Sequence, residues 1–211
     1  MIESIMNLFR KKNMELPRDR INRFINEACD RLSFIPLPDP ANQPVRLIRS
    51  GPSKGFSVSN AVWAVKTELG DQYVSVDRTE HLNDERWVVM VKARLFYAAW
   101  LASRSEPTGM PDDPPDYGDL PQMNAWKDQK SAWSHGLSNP VPLAQIGDSF
   151  LVDPRCHMGF VNGRNRLAWL IYHKAAAFPI EVVSSSFDTV WLMHQMMGVD
   201  GFPPVTVEKI T

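Results

Sequence analysis

The feature that most constrains this chain is a strand, a polar turn, a helix and a second strand that follow one another between residues 159 and 183. After the turn, Leu167, Leu170 and Ile171 have the spacing of the apolar face of a helix. Residues 178–183 are mostly apolar, which is typical of a buried strand. The order predicts a helix packed on a sheet, with the turn at one end of a strand.

The turn itself, residues 162–166 (the basic turn), has the composition of an anion site. Asn162 is a favourable N-cap, and Gly163 lets a ligand approach the backbone closely. Arg164, Asn165 and Arg166 follow on the first helical turn. Amide donors, the positive end of the helix dipole and two guanidinium groups therefore predict phosphate binding. An ordinary capped helix with solvated arginines has the same spacing, so the motif alone does not decide between the two.

Composition limits the classes of protein that this chain can belong to. Its 211 residues fit one medium domain with an appendage, and the net charge of -1 gives no general attraction to nucleic acid or membranes. No apolar run approaches the roughly 20 residues of a membrane span, and a signal peptide core is missing. The prediction is a cytoplasmic protein with no integral membrane segment. Cys29 and Cys156 lie far apart and are interpreted as reduced thiols.

Residues 1–40 are predicted to be an N-terminal helical extension, and residues 41–211 the main domain. Two amphipathic helices are expected before the proline-rich stop at residues 36–40. The first helix ends in Arg10, Lys11 and Lys12, and such a helix can bind a membrane or a partner. Packing on its own domain is the simpler interpretation, because apolar stripes of this period usually face a core.

Alternating and continuous apolar runs predict the strands of the main domain, at residues 45–48, 61–65, 73–76 and 87–91. A proline-containing strand is predicted at residues 141–146, either at an edge or at the beginning of a sheet. A helix carrying Phe96 and Trp100 follows the fourth of these strands. The last helix is expected to begin near Ser185 and to stop at Gly198, with His194 as a core histidine rather than a ligand.

A long loop is predicted at residues 103–137, because prolines, glycines and acidic residues interrupt every apolar pattern there. Its four aspartates match no calcium loop and are interpreted as solvated; they are Asp112, Asp113, Asp116 and Asp119. Trp126, Trp133 and His135 make the second half of the loop a candidate lid or partner surface.

Three segments, at residues 142–146, 160–168 and 178–182, together resemble the core of the ParB/sulfiredoxin superfamily. Within it the chain is most similar to the plasmid fertility inhibition factors of the Osa and FiwA type. The resemblance implies an α+β fold: a ParB/sulfiredoxin-like mixed sheet with packed helices, here with the N-terminal helical extension.

The basic turn departs from the better-known branches of that superfamily. Sulfiredoxins have a nucleophilic cysteine where Arg164 stands and a histidine where Asn165 stands, so sulfinic acid repair is excluded. ParB proteins carry Gly-Glu-Arg-Arg at this turn; Gly163 and Arg166 match, whereas Arg164 replaces the glutamate. The second nucleotide motif and the DNA-reading domain of ParB are not found, so a CTP-gated clamp is not expected. Of the superfamily motif, this chain retains the phosphate-binding half, which comprises Asn162, Gly163, Arg164 and Arg166.

The family resemblance implies a cytoplasmic protein that blocks conjugative transfer of another plasmid by acting on the coupling protein of the type IV secretion machinery or on its DNA substrate. The resemblance further implies that the protein can be recruited to this machinery at the inner membrane. It also implies candidate ATPase and DNase activity, with ATP and a divalent metal ion as candidate cofactors and DNA as a candidate partner. Asp153 and His157 are the nearest candidate catalytic residues, without diagnostic spacing. Two other hypotheses stay open: an inhibitor that acts only by protein contact, and a nuclease with no role in conjugation.

Overall fold

The computed structural model describes residues 23, 26, 30, 32, 35, 37–49, 57–58, 61–76, 85–102, 115–147, 158–184 and 186–207. Within them the α-helices are α1 (Ala93–Ala102), α2 (Trp126–Trp133), α3 (Arg164–Tyr172) and α4 (Phe187–Met197), and short 3-10 helices lie at Pro40–Asn42, Tyr117–Gln122 and Gly136–Ser138. The strands are β1 (Arg46–Arg49), β2 (Ser57–Val58), β3 (Val62–Thr67), β4 (Gly70–Ser75), β5 (Arg86–Lys92), β6 (Val141–Pro142), β7 (Gln145–Gly147), β8 (Phe160–Asn162), β9 (Ala177–Val183) and β10 (Val205–Val207).

These strands form two sheets, one with the order β1-β3-β4-β6 and one with the order β2-β10-β5-β9-β7-β8. Each sheet contains parallel and antiparallel pairs: β4 with β6 and β7 with β9 are parallel, whereas β3 with β4 and β5 with β9 are antiparallel. The predicted α+β fold with mixed pairing and packed helices is confirmed. Its strands are divided between two sheets rather than joined in one.

The centre of the core lies between the long strand pair β5 and β9 and helix α1. Val89 on β5 and Phe178 on β9 are completely buried, as the continuous apolar runs predict. Phe96 of α1 packs edge-on against Phe178, with ring centroids 5.5 Å apart. Trp100, one turn further along α1, lies 4.9 Å from the ring of Phe160. Helix α1 therefore fixes the strand that leads into the basic turn.

Strand β9 contains a proline and a carboxylate that are unusual inside a sheet. The Glu181 amide donates to the Ala144 carbonyl oxygen at 2.8 Å, on the β7 side of the strand. Backbone nitrogens two residues apart in a strand point to the same side, so the Pro179 nitrogen also faces the β7 side. It lies at a level before β7 begins, so the missing N–H of the proline leaves no carbonyl of β7 without a donor. The Glu181 carboxylate is fully buried and accepts from Arg86 Nη2 and Gln145 Nε2, each at 3.2 Å.

The segment at residues 141–146 is not one continuous strand, as the sequence predicts, although its proline-containing first part does lie at the edge of a sheet. It divides into β6 in the four-stranded sheet and β7 in the six-stranded sheet. The Leu143 amide donates to the Ser75 carbonyl oxygen of the four-stranded sheet at 2.7 Å. The carbonyl oxygen of the next residue, Ala144, instead accepts from the Glu181 amide of the six-stranded sheet. The backbone groups thus change sheets between adjacent residues. We call residues 142–144 the crossover, because they join the two sheets.

The predicted loop at residues 103–137 is helical over much of its second half. Residues 103–114 lie outside the described residues, but α2 and two 3-10 helices occupy most of residues 117–138. Tyr97 Oη donates to the Pro115 carbonyl oxygen at 2.8 Å, and Tyr117 Oη to the Tyr172 carbonyl oxygen at 2.9 Å. Trp133, which the sequence offered as part of a lid, is buried in the core cluster. Aromatic side chains thus compensate for the weak helical signal of this segment.

The two ends of the chain are described only in part. The predicted extension at residues 1–40 lies mostly outside the described residues, although Leu32 and Ile35 are buried in the core cluster. The Leu32 carbonyl oxygen accepts from Arg94 Nη2 at 3.1 Å. At the other end, the cap of α4 is Ser186, one residue after the predicted Ser185. None of the helices in the described part of the chain is long and apolar enough to cross a membrane.

Candidate anion-binding site

The basic turn lies at the edge of the six-stranded sheet, where β8 ends and α3 begins. β8 pairs antiparallel with β7, with Gln145 opposite Asn162 and Ile146 opposite Phe160. The Phe160 ring is held by Trp100, while Val161 and Asn162 are exposed. One end of the strand is thus anchored in the core, and the other presents the turn to solvent.

Gly163 is the N-cap of α3, so the predicted cap at Asn162 is wrong by one residue. Gly163 has φ of 85°, in the left-handed region, and no side chain caps the helix start. A Cβ at this position would lie 2.7 Å from Ala144 Cα, which is backbone of the crossover. The glycine is therefore required by backbone conformation and by close packing against the crossover. Ligand access is not needed to explain it.

Arg166 turns back over the crossover. Its Nη1 donates to the Pro142 carbonyl oxygen at 2.5 Å and to the Leu143 carbonyl oxygen at 2.9 Å. Its Nη2 donates to Asn162 Oδ1 at 2.8 Å. The planar guanidinium can bridge three acceptors in this way because its donors form a rigid fork. Arg166 and Asn162 thus shape the turn, a role that the sequence did not predict for either residue.

A pocket of about 400 Å³ opens beside the basic turn. It is lined by Gln129 of α2 together with residues 160–166. All five predicted phosphate-binding residues therefore lie around one cavity. Arg164, the first residue of α3, is half-buried in its wall, and the first turn of the helix contains no acidic residue. The electrostatics of the helix start favour an anion here.

Three lining residues were not among the predicted site residues: Phe160 and Val161, which directly precede the basic turn, and Gln129, which is distant in sequence. Its helix lay inside the predicted loop, and no motif links it to the basic turn. Asn165 connects the two, since its Nδ2 donates to the Asn124 carbonyl oxygen at 2.6 Å, just before α2. The ring of Trp126 packs 5.2 Å from that of Trp169 on α3. The sequence pointed to this region only through Trp126 and Trp133, which were interpreted as part of a lid or partner surface.

The far end of α3 is fixed by charged side chains. Glu68 Oε2 lies 2.8 Å from Lys174 Nζ, and Glu68 Oε1 lies 3.2 Å from His173 Nδ1. The hydrogen bond from Lys174 is the main cause that lowers the pKa of Glu68 below its ordinary value; burial opposes it, and the weaker contact with His173 lowers the pKa further. None of these groups lines the pocket.

The predicted catalytic pair, Asp153 and His157, lies outside the described residues. Among the residues that are described, no three His, Cys, Asp or Glu side chains are grouped so that they could hold a metal ion. The aspartates Asp116 and Asp119 of the predicted acidic loop form no such group either. The described part of the pocket therefore supplies cationic and amide groups rather than metal ligands.

Residues 88–198 match the family model described as plasmid fertility inhibition factor. This range is slightly more than half of the chain and includes α2, the crossover and the basic turn. The chain belongs to the plasmid fertility inhibition factor family. The family expected from the resemblance is thus confirmed.

Two known proteins extend this comparison. Protein Osa of Shigella flexneri is 28% identical over 126 residues, which cover 59% of this chain and 61% of Osa. The chain therefore aligns with less than two thirds of the length of that relative. A crystal structure of the Oncogenic Suppression Activity Protein, described as a plasmid fertility inhibition factor and solved as a gold(I) cyanide derivative, matches with a TM-score of 0.59 and 20% identity, covering 90% of this chain and 89% of the other. This second likeness shows the fold.

Proposed function

We propose that this fertility inhibition factor blocks conjugative transfer of another plasmid by acting on the coupling protein of a type IV secretion system or on its DNA substrate. Membership of the family supports the inhibitory role. The site of action would be the cytoplasmic side of the inner membrane, where secretion machinery and DNA meet. The basic turn would bind a phosphate group of a nucleotide or of DNA during this action.

One observation carries the phosphate part of the proposal: a basic helix start without a side-chain cap opens into a pocket. α3 follows its N-cap Gly163 without a capping side chain or an acidic residue in its first turn, and Arg164 lines the cavity. The helix dipole favours negative charge near the first-turn amides. The Arg166 amide already donates to the Gly163 carbonyl oxygen at 3.0 Å, so a phosphate would be bound by the amides that precede it in α3 and by the Arg164 guanidinium, through charge-assisted hydrogen bonds.

The five predicted residues would divide this work. Arg164 supplies the positive charge that meets the phosphate. Gly163 brings the helix start against the crossover, and Asn162 orients the guanidinium of Arg166, which binds two crossover carbonyls. Arg166 also lines the pocket, so its charge adds to the local positive potential while its hydrogen bonds build the turn.

Turnover of ATP or DNA is a further part of the proposal. It would need a base or a metal-bound water beside the phosphate, and Asp153 and His157 are our candidates for that role. A divalent metal ion would stabilise the charge of the phosphate. ATP and DNA would then be substrates of the same pocket.

The phosphate site is tested by Arg164→Gln, which removes the charge and keeps a polar side chain. We expect affinity for ATP or for a short single-stranded DNA to fall about tenfold or more, because a hydrogen bond to a charged group contributes about 1.5–3 kcal/mol. Isothermal titration measures the change. Arg49→Gln, on the exposed strand β1 and outside the pocket lining, is the matched control and should leave affinity unchanged. Equal affinities in both variants and the wild type would refute the site.

A second candidate function is inhibition by protein contact alone. It is favoured by large aromatic side chains that are exposed on and after α4, namely Phe187, Trp191 and Phe202. A mating assay with a co-resident conjugative plasmid separates the two functions. If Arg164→Gln loses ligand binding and also loses inhibition of transfer, the phosphate site serves the inhibitory role. Full inhibition by that variant would favour the contact-only function.

A further inference from the structure

A row of three aromatic side chains lies along one face of α4. Phe187, Trp191 and His194 are four and three residues apart, so they follow one another on the same side of the helix. The ring centroids of Phe187 and Trp191 are 6.0 Å apart, and those of Trp191 and His194 are 5.1 Å apart. Phe187 and Trp191 are 47% and 39% exposed. We call these three residues the aromatic row, and it presents two large rings to solvent.

The aromatic row is supported at both ends by groups that hold its rings in place. The Trp87 ring of β5, which is almost completely buried, lies 5.0 Å from that of Phe187. At the other end, His194 packs against the backbone of Gly198, because a Cβ added there would lie 2.4 Å from His194 Cδ2. The Trp191 ring stacks on this fixed imidazole at an angle of 24°. A tryptophan held in this way loses little conformational freedom when a partner binds it.

Exposed carboxylates lie near the start of the aromatic row. Asp188 is exposed, directly follows Phe187 and precedes Trp191 by three residues, which makes it a neighbour of the indole on the helix surface. Glu85 is exposed as well, and its carbonyl oxygen accepts from the Ser184 amide at 3.1 Å, which places it beside the chain that enters α4. The start of the aromatic row therefore carries negative charge.

Basic residues are missing from the stretch of chain that contains α4. Residues 175–208 include no lysine or arginine. Beyond the end of the helix, the exposed Asp200 carboxylate accepts from Lys92 Nζ of β5 at 3.1 Å, so the charge of this lysine is neutralised. The aromatic row is thus flanked by acidic groups near its start and by a neutral ion pair near its end.

This combination of rings and carboxylates selects among possible partners. Carboxylates would repel the phosphates of nucleic acids and of anionic lipids. The face of an indole ring attracts a cation, and tryptophan makes the strongest such contact among the aromatic residues. Arginine fits both features, because its planar guanidinium stacks on an aromatic ring and binds carboxylates through its edge. Tryptophan and arginine are also among the residues that most often dominate the binding energy of protein interfaces.

We propose that the aromatic row and Asp188 dock a helix of a partner protein that presents arginine beside apolar side chains. The arginine stacks on Trp191 and approaches Asp188, while apolar side chains of the same helix cover Phe187. A helix suits this surface, because side chains three and four residues apart form ridges that pack against a row of the same spacing. The inference rests on the second candidate function, inhibition by protein contact, and it names the surface and the partner chemistry for that function. It does not depend on the phosphate site.

The test titrates the full chain with two amphipathic helical peptides that have the same leucine face. One peptide carries arginine beside the leucines, and the other carries glutamine at the same positions. Fluorescence anisotropy of a dye on each peptide measures binding. We expect the wild type to bind the arginine peptide about tenfold more tightly, because a partly desolvated contact between a cation and tryptophan contributes an effect of this size.

Variants of the full chain assign this preference to the aromatic row. Trp191→Leu keeps an apolar side chain and removes the π face, so the preference should fall to about twofold, whereas Trp191→Phe should keep most of it. Asp188→Asn should weaken binding of the arginine peptide about threefold and leave the glutamine peptide unchanged. Asp128→Asn, at an exposed aspartate in the first turn of α2, is the matched control and should alter neither affinity.

Equal binding of the two peptides by the wild type, or no binding of the arginine peptide, would overturn the inference. A preference for arginine that Trp191→Leu leaves intact would overturn it too. Sedimentation could instead show dimers that this variant abolishes, and flotation could show binding to phosphatidylglycerol vesicles that it abolishes. Either result would assign the row to a second copy of the chain or to a membrane, against the inference.

A mating assay with the same variants keeps the inference apart from the function on which it rests. A wild type that prefers the arginine peptide but does not reduce plasmid transfer would retain the docking surface and refute the inhibitory role. A wild type that reduces transfer without preferring the arginine peptide would retain the inhibitory role and refute the docking surface. Because the wild-type preference decides both outcomes, neither depends on the folding of Trp191→Leu.

Discussion

The starts of helices α3 and α4 are opposite solutions to the same problem. Both follow strands of the six-stranded sheet, and each must provide for amides that have no partner within the helix. α4 satisfies its own start: the Ser186 side chain accepts from the Thr189 amide at 3.4 Å, and Asp188 lies in the first turn. α3 has Gly163 as its N-cap, with neither a capping side chain nor an acidic residue in its first turn.

The difference separates a helix start that serves stability from one that remains available for an anion. A capped, acidic start has neutralised its dipole within the protein, so a bound phosphate would gain little there and would be repelled by Asp188. At the start of α3, the side chains instead build the turn and line a pocket. Whether this distinction holds can be tested at each of the two starts.

The largest expected effect comes from Gly163→Ala. An alanine at φ of 85° is strained by about 1–2 kcal/mol, and its Cβ would overlap Ala144 Cα, for a total loss of about 3 kcal/mol of unfolding free energy. Urea unfolding measures it. Gly201→Ala is the matched control, because Gly201 has φ of 81° with nothing within 4 Å of an added Cβ and so reports the strain alone. Equal losses of unfolding free energy in the two variants would show that the crossover backbone moves to accommodate the added Cβ at no cost.

An intermediate effect is expected for Arg166→Met, which retains much of the side-chain length and removes the guanidinium. The carbonyls of Pro142 and Leu143 lose a charged donor, but partial exposure lets water replace it, so the cost should be about 1–2 kcal/mol. Thermal or urea unfolding provides the measurement. Arg166→Lys should recover only part of the loss, because an ammonium lacks the fork that bridges three acceptors. Arg49→Met, an exposed arginine on β1, controls for the change in charge.

The smallest expected effect is at α4, where Ser186→Ala removes the cap. Its hydrogen bond is long, at 3.4 Å, and we expect a loss of about 1 kcal/mol, as is usual for an N-cap serine. Ser186→Asp should retain most of the stability, since a carboxylate also caps well. Titration with ATP should be unaffected by either change. A fall in ATP affinity for Ser186→Ala would contradict the assignment of this start to stability alone.

The sequence predicted those parts of the fold that depend on local pattern. The continuous apolar runs at residues 87–91 and 178–183 became β5 and β9, and the apolar spacing of Leu167, Leu170 and Ile171 became the buried face of α3. The five residues of the basic turn do lie around one cavity. Periodicity and turn composition were enough here, because neighbours in sequence determine these features.

Features that depend on contacts between distant residues were not predictable in this way. The division of residues 141–146 depends on Ser75 and Glu181, which provide backbone partners on two different sheets. Gln129 reaches the pocket because Trp126 packs on Trp169, some 40 residues later in the chain. The role of Arg166 depends on carbonyls of the crossover, and no spacing rule within the turn refers to them.

The crossover has a consequence for the portability of the basic turn. Asn-Gly-Arg-Asn-Arg is short enough to occur by chance at the start of many helices, but here its glycine is shaped to Ala144 and its second arginine to the Pro142 and Leu143 carbonyls. The first asparagine is occupied by the second arginine, and the second asparagine by the Asn124 carbonyl. Grafting these five residues onto another helix would transfer the sequence motif without the contacts that give it its geometry. The unit that could be transplanted is the turn together with the crossover and the start of α2.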